Sequence, residues 1–151
     1  INCFVLIDEV LHSLILCQEL LPPLRNLLAS GDADRAPKPG EGEPAPQPWV
    51  QTNNGRARLD EVLGGGFRLL CAADFVAPRR VRDLGVRVAR LGEAAAGELL
   101  IDEESRLLEN WMAARHCRAL LVRPDHVVYA AVSTAAELEE ALDRLAAALG
   151  R

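Results

Sequence analysis

Two apolar runs, Ala119-Leu120-Leu121-Val122 and Val127-Val128-Tyr129-Ala130, are held apart by Arg123-Pro124-Asp125-His126. No other stretch restricts the fold as much. Each run is short and bounded by turn residues, as strands are. Pro124 has its φ fixed and no N–H to give a ladder, and Asp125 can close a turn onto its own backbone. The segment reads as a strand, a tight turn and a second strand.

The elements around it follow the same logic. Trp49-Val50-Gln51-Thr52 reads as a short strand, Asn53-Asn54-Gly55 as a hairpin turn, and Arg56–Leu59 as the returning strand. Asp60–Leu63 suits one helical turn, stopped by Gly64-Gly65-Gly66. Phe67–Ala73 is a continuous apolar run fit for a buried central strand. Pro78–Leu84 suits a helix with Pro78 near its first turn. Val86–Leu91 alternates as a strand, and Leu99–Asp102 is a further short extended piece. Glu103–Arg115 is helical, with Leu107, Leu108, Trp111 and Met112 on one stripe. Ser133 or Thr134 caps a final helix, with Glu137 completing the cap, and its apolar set is Leu138, Ala141, Leu142, Leu145 and Leu149. From Phe67 the order is strand, helix, strand, helix, strand, strand, helix. That order implies an α/β fold of thioredoxin-like layout, a mixed sheet flanked by helices on both faces.

Upstream, residues 1–30 read as a helical segment, interrupted at Pro22-Pro23. Its first helix, residues 4–21, is apolar on most faces and calls for a covering surface. Residues 31–48 carry Pro37, Pro39, Pro44, Pro46 and Pro48 with Gly40 and Gly42 between, and read as an extended, loosely ordered linker. The division expected is therefore 1–30, 31–48 and 49–151. The apolar stretch Phe4–Leu16 is too short and too charged to span a membrane and lacks the basic start of a signal peptide. The chain begins with Ile1, and a fragment of a longer protein is the expectation. A net charge of −5 and 4% aromatics argue against nucleic-acid binding, which wants a basic face and stacking platforms.

No catalytic, cofactor-binding or metal-ligating residue emerges. Cys3, Cys17, Cys71 and Cys117 form no Cys-x-x-Cys pair, and His12, His116 and His126 complete no zinc pattern. Free, buried thiols in a reducing, cytoplasmic compartment are the reading. A thioredoxin-type exchanger keeps a low-pKa thiolate just after the first central strand, at a helix N-terminus. Here that place holds Asp74-Phe75-Val76-Ala77-Pro78, and Cys71 comes too early, where burial raises its pKa. The proline such folds hold before the third strand is replaced by Cys117-Arg118. Gly64-Gly65-Gly66 follows a helical turn and opens a strand, the reverse of a phosphate-cradling loop. Arg79, Arg80 and Arg82 read as a solvated helix face paired with acids such as Asp83, and Glu103, Glu104 and Glu109 with Arg106 as another. His126 beside Asp125 has no nucleophile near it in sequence. Trp49 and Trp111 read as core anchors.

From Pro39 to about Leu145 the chain resembles the C-terminal thioredoxin-like domain of FAD-dependent aromatic-ring hydroxylases, the flavoprotein monooxygenases of the phenol hydroxylase and 3-(3-hydroxyphenyl)propionate hydroxylase type. Three pieces carry the resemblance: the proline-rich lead-in with Trp49-Val50, the run Arg58-Leu59-Asp60-Glu61-Val62-Leu63-Gly64 with Gly66-Phe67 and Leu69-Leu70, and Leu121-Val122-Arg123-Pro124-Asp125 with Val127-Val128. Residues 4–29 resemble the last helices of the flavin-binding part. The resemblance implies a non-catalytic structural or oligomerisation domain of an oxidoreductase that uses FAD, NAD(P)H and O₂ on an aromatic or polyketide substrate. The family's dinucleotide and flavin motifs lie in regions this chain lacks, so no flavin-binding residue carries over. The implied partners are the parent's flavin-binding domain and a second copy, a dimer or larger species, through the apolar N-terminal helix. A small stand-alone thiol oxidoreductase built on Cys71 or Cys117, or a binding module, is the alternative.

Overall fold

In a computed structural model, which describes residues 35–92 and 96–150, the Asn53-Asn54-Gly55 signal closes a hairpin. β1 (Trp49–Thr52) pairs antiparallel with β2 (Gly55–Arg58), Trp49 opposite Arg58 and Thr52 opposite Gly55. Gly55 has φ +104, a conformation that glycine adopts without strain. α1 (Leu59–Leu63) follows and ends at Gly64, φ +67. β3 (Arg68–Cys71) is buried throughout. α2 (Arg80–Asp83) leads to β4 (Arg87–Leu91), and β5 (Leu99–Ile101) precedes α3 (Leu107–Ala114). β6 (Ala119–Val122) and β7 (Val128–Val132) flank the Pro-Asp turn, and α4 (Ala135–Ala148) closes the fold. Thr134 caps α4: its side chain accepts from the Glu137 N–H, and the Glu137 carboxylate accepts from the Thr134 N–H. The expected helical reading of residues 1–30 lies outside the described residues.

The main sheet has the order β5-β4-β3-β6-β7. β3 runs parallel to β4 and β4 to β5, whereas β6 is antiparallel to both β3 and β7. This is the mixed sheet of a thioredoxin-like fold. Because side chains alternate across a strand, each face has its own core. Leu69, Cys71, Val88 and Leu121 pack with Val81 of α2 and with Leu138, Leu142 and Leu145 of α4. Leu70, Ala89 and Leu120 pack on the other face with Leu59 and Leu63 of α1 and Leu108 and Met112 of α3.

The stretch expected to be loosely ordered is, over Gly40–Pro48, part of this second core. The Gly42 N–H donates to Val128 O (2.9 Å), Val128 N–H to Glu43 O (2.9 Å) and Ala45 N–H to His126 O (2.8 Å), so the lead-in runs along β7. Proline spacing alone does not reveal this, because the bonds come from the residues between the prolines. Glu41 is 2% exposed, accepting from the Lys38 and Ala131 N–H groups and pairing with Arg35. A side chain at Gly40 would meet Trp111. Trp49 departs from the core-anchor expectation: it is 38% exposed, with the guanidinium groups of Arg56 and Arg58 at 4.3 and 5.2 Å from its ring centre. Leu107 and Leu149, expected on buried stripes, are exposed because each sits at a helix end beyond the sheet's cover.

Candidate functional site

In this fold, chemistry is expected where β3 ends. Cys71 is the last residue of β3 and 0% exposed, and burial pushes its thiol up to about 12, the nearby Arg90 guanidinium only partly opposing this. Cys117 is buried at the end of α3 beside the Met112 carbonyl, and burial raises it to about 11. Attack on a disulfide or peroxide requires a thiolate. At neutral pH both sulfurs stay protonated and enclosed.

The loop after β3 is filled by a charge that the sequence analysis did not single out. Arg90 projects from β4, 7% exposed. Its Nη1 donates to the carbonyls of Ala72 (3.1 Å), Ala73 (3.3 Å) and Phe75. Its Nε and Nη2 bind both oxygens of the buried Glu98 at 2.6 and 3.0 Å. Three carbonyl oxygens thus converge where an anion-stabilising site needs N–H donors. α2 begins only after Pro78 and Arg79 and has four residues, too few to supply a useful dipole. Asp74, at the tip of the loop, pairs with Arg118. The loop is tied to β4 and to the 117–118 corner, and the guanidinium that reaches it is already engaged by Glu98 and the loop carbonyls; burial, not these cations, keeps the Cys71 thiol protonated.

The remaining sequence candidates are scattered. Gly64-Gly65-Gly66 leads from α1 into β3, so its amides do not converge at a helix start. Arg80 pairs with Asp143 (2.5 Å) and Glu139 (3.5 Å) on α4, and Arg82 bonds the Ala96 carbonyl, so this cluster is bound to its own fold. Glu103 caps α3, its oxygens accepting from the N–H groups of Leu108 (2.8 Å) and Glu109 (3.0 Å), while Glu109 pairs with Arg106. His126 has φ +65, and its Nδ1 accepts from Arg68 at 3.3 Å. Arg68, 1% exposed, also donates to the carbonyls of Gly66, Arg123 and Pro124, pinning the Pro-Asp turn to the start of β3. Desolvation lowers its pKa, with Asp60 opposing the shift. Among the described residues no His, Cys, Asp and Glu group has the makings of a metal site.

Sequence reasoning missed Arg68 and Arg90 because a lone arginine in a strand reads as a solvent-facing residue. The signal available was phase: in Val86-Arg87-Val88-Ala89-Arg90, Arg87 and Arg90 fall on opposite faces, so both cannot face solvent.

An opening lies on the other side of the same strand ends. It is a cavity of about 530 Å³ between the ends of β3, β4 and β5 and the flank of α3. Its floor is apolar, from Ala72, Leu91, Ile101 and Met112, and Asp74, Asp102, Glu103 and Glu109 stand at its rim with Arg106 and Arg118.

The family described as the HcaD C-terminal domain matches residues 42–148. No curated protein matches the chain. Among solved structures it is similar to aklavinone-11 hydroxylase, in a ternary complex with FAD and aklavinone, at 26% identity over 76% of this chain and 23% of that one, TM-score 0.48. It is similar to the flavin-dependent monooxygenase PieE, in complex with FAD and substrate, at 24% identity over 79% and 22%, TM-score 0.49. It is also similar to OxyS anhydrotetracycline hydroxylase from Streptomyces rimosus, at 21% identity over 73% and 22%, TM-score 0.42. The chain spans less than a quarter of the length of these solved proteins. The family match runs from the packed lead-in at Gly42 to the last residue of α4 and takes in every strand and helix described above, so this chain belongs to the HcaD C-terminal domain family.

Proposed function

We propose that this chain is the non-catalytic C-terminal part of an FAD-dependent monooxygenase that hydroxylates an aromatic or polyketide substrate. Family membership supports the placement. The observation that carries the non-catalytic reading is the full burial of Cys71 at the end of β3, beside an Arg90 whose donors are already taken by Glu98 and the loop carbonyls. The described residues do not fit a flavin or a nicotinamide: the one glycine-rich turn opens a strand, and no helix start follows it. In this reading FAD and NAD(P)H belong to the preceding domain, and no step of the hydroxylation passes through these side chains. Residues 1–30 are the end of that flavin-binding domain, 31–48 the connection and 49–151 the appended domain. The whole enzyme works in the cytoplasm as a dimer or larger species, with residues 4–21 at the subunit or domain contact.

Three measurements test the proposal. The reading frame upstream of Ile1 is expected to carry a glycine-rich dinucleotide motif, and its product to purify with FAD and to oxidise NAD(P)H when given a phenolic or polyketide substrate. A start codon beside Ile1 overturns this. The chain itself is expected to leave insulin disulfides unreduced in the presence of dithiothreitol beyond the uncatalysed rate. Turnover at an enzyme-like rate refutes the non-catalytic reading. Light scattering that shows a monomer of the whole protein at high concentration removes the oligomer from it.

A further inference from the structure

The cavity on the α3 side of the sheet lies where the chain's connections part. β3 connects to β4 through α2, which packs on one face, and β5 connects to β6 through α3, which packs on the other. Helices that leave in opposite directions open a crevice beyond the carboxyl ends of the strands, the place where open α/β sheets take their ligands. Its volume of about 530 Å³ suits a small organic molecule. The apolar floor of Ala72, Leu91, Ile101 and Met112 suits a hydrocarbon or aromatic body.

The rim sets the charge. Asp74, Asp102, Glu103 and Glu109 stand against Arg106 and Arg118, four negative groups to two positive, which leaves two negative charges. Asp74 is answered by Arg118 and Glu109 by Arg106. Glu103 is held by the backbone N–H groups of α3. Asp102 is exposed, and its carboxylate has no partner among the described residues. A ligand whose apolar body sits on the floor therefore meets a net negative mouth. We propose that this crevice is a binding site for a small molecule with an apolar or aromatic body and a cationic amine, the amine facing Asp102 and Glu103. The site goes beyond the appended-domain reading and does not depend on the flavin.

The experiment is an amide NMR titration of the full isotope-labelled chain with tryptamine and indole-3-propionate, which share an indole body and carry opposite charges. Tryptamine is expected to shift the amides of residues 72–74, 91–92, 101–103 and 112–113, and to bind about tenfold more tightly than indole-3-propionate, a modest preference for partly solvated charges. Ala113→Phe, at an exposed position of α3 on the cavity wall, should abolish the tryptamine shifts while leaving the rest of the spectrum folded. Asp102→Lys should reverse the order of the two probes, and its exposed side chain makes no contact the fold needs. The proposal is overturned if tryptamine leaves those amides unmoved at about 10 mM, an affinity too weak for a specific site. It is equally overturned if Ala113→Phe still binds, or if the anionic probe binds the unsubstituted chain as well as the cationic one. No flavin or thiol readout enters, so these failures are separate from failure of the proposed function.

Discussion

Replacing Arg90 by methionine is the sharpest test of the fold's energetics. The substitution keeps most of the stem volume and removes the guanidinium. Glu98 then loses two short charge-assisted bonds, at 2.6 and 3.0 Å, while its side chain stays 5% exposed. Breaking a buried pair from one side costs about 3–5 kcal/mol. Arg82, 3.8 Å from Glu98 but largely solvated, can take over part of the role, which places the loss at the lower end, about 3 kcal/mol. The carbonyls of Ala72, Ala73 and Phe75 lose their common donor. Ala73 is exposed and its carbonyl finds water, whereas Phe75 is buried, which adds about 1 kcal/mol. The sum, about 4 kcal/mol, is a large share of the roughly 5–15 kcal/mol that holds a domain of this kind together. It should lower Tm by roughly 10–20 °C. Urea denaturation followed by Trp fluorescence measures it, and the double variant Arg90→Met, Glu98→Met should lose less than the sum of the two single losses. A single-variant loss below about 1 kcal/mol, the range of exposed pairs, or simple additivity in the double variant refutes the buried-clamp account.

Four further outcomes are expected. Gly40→Ala should cost about 2 kcal/mol or more in urea denaturation, since its new Cβ would lie 2.6 Å from the Trp111 ring at φ +94; an unchanged midpoint would mean the lead-in does not pack on α3. Thr134→Ala should cost about 1 kcal/mol through loss of the α4 cap, and Leu149→Ala, at an exposed helix end, under about 0.5 kcal/mol. Alkylation of Cys71 and Cys117 by iodoacetamide at pH 8 should be far slower in the folded chain than in urea. Both thiols sit above their ordinary value of 9.0, Cys71 at about 12 and Cys117 at about 11. The stability they contribute is therefore intact below pH 9 and is lost as pH rises through 11 to 12. Fast alkylation of either at pH 8 in the native state contradicts the burial.

Local signals carried far along this chain. Asn53-Asn54-Gly55 marked the hairpin because only a few residue types accept its backbone. Thr134 with Glu137 marked the start of α4 because the cap is a contact between near neighbours in sequence. The run Phe67–Ala73 marked the central strand because a strand buried on both faces has no polar side. The candidate site was legible only in part. The want of a cysteine between Asp74 and Pro78 is visible in the letters, whereas Arg90, which occupies that place, comes from another strand and meets the loop only across the sheet.

The order of strands and helices, the turns and caps that separate them, and the lack of sulfur after the central strand were determined by neighbours in the chain, since propensity, φ restriction and capping act over a few residues. Three things were decided by tertiary structure alone. Arg68 and Arg90 are buried because carbonyls distant in sequence accept from them, and Glu41, held locally by Lys38 and Arg35, is completed by the Ala131 N–H of β7. The proline-rich lead-in belongs to the core because β7 offers it a free edge. The crevice beside α3 exists because the β3–β4 and β5–β6 connections leave the sheet on opposite faces. Each depends on groups brought together from far apart in the chain, and no window of the sequence holds both sides of those contacts.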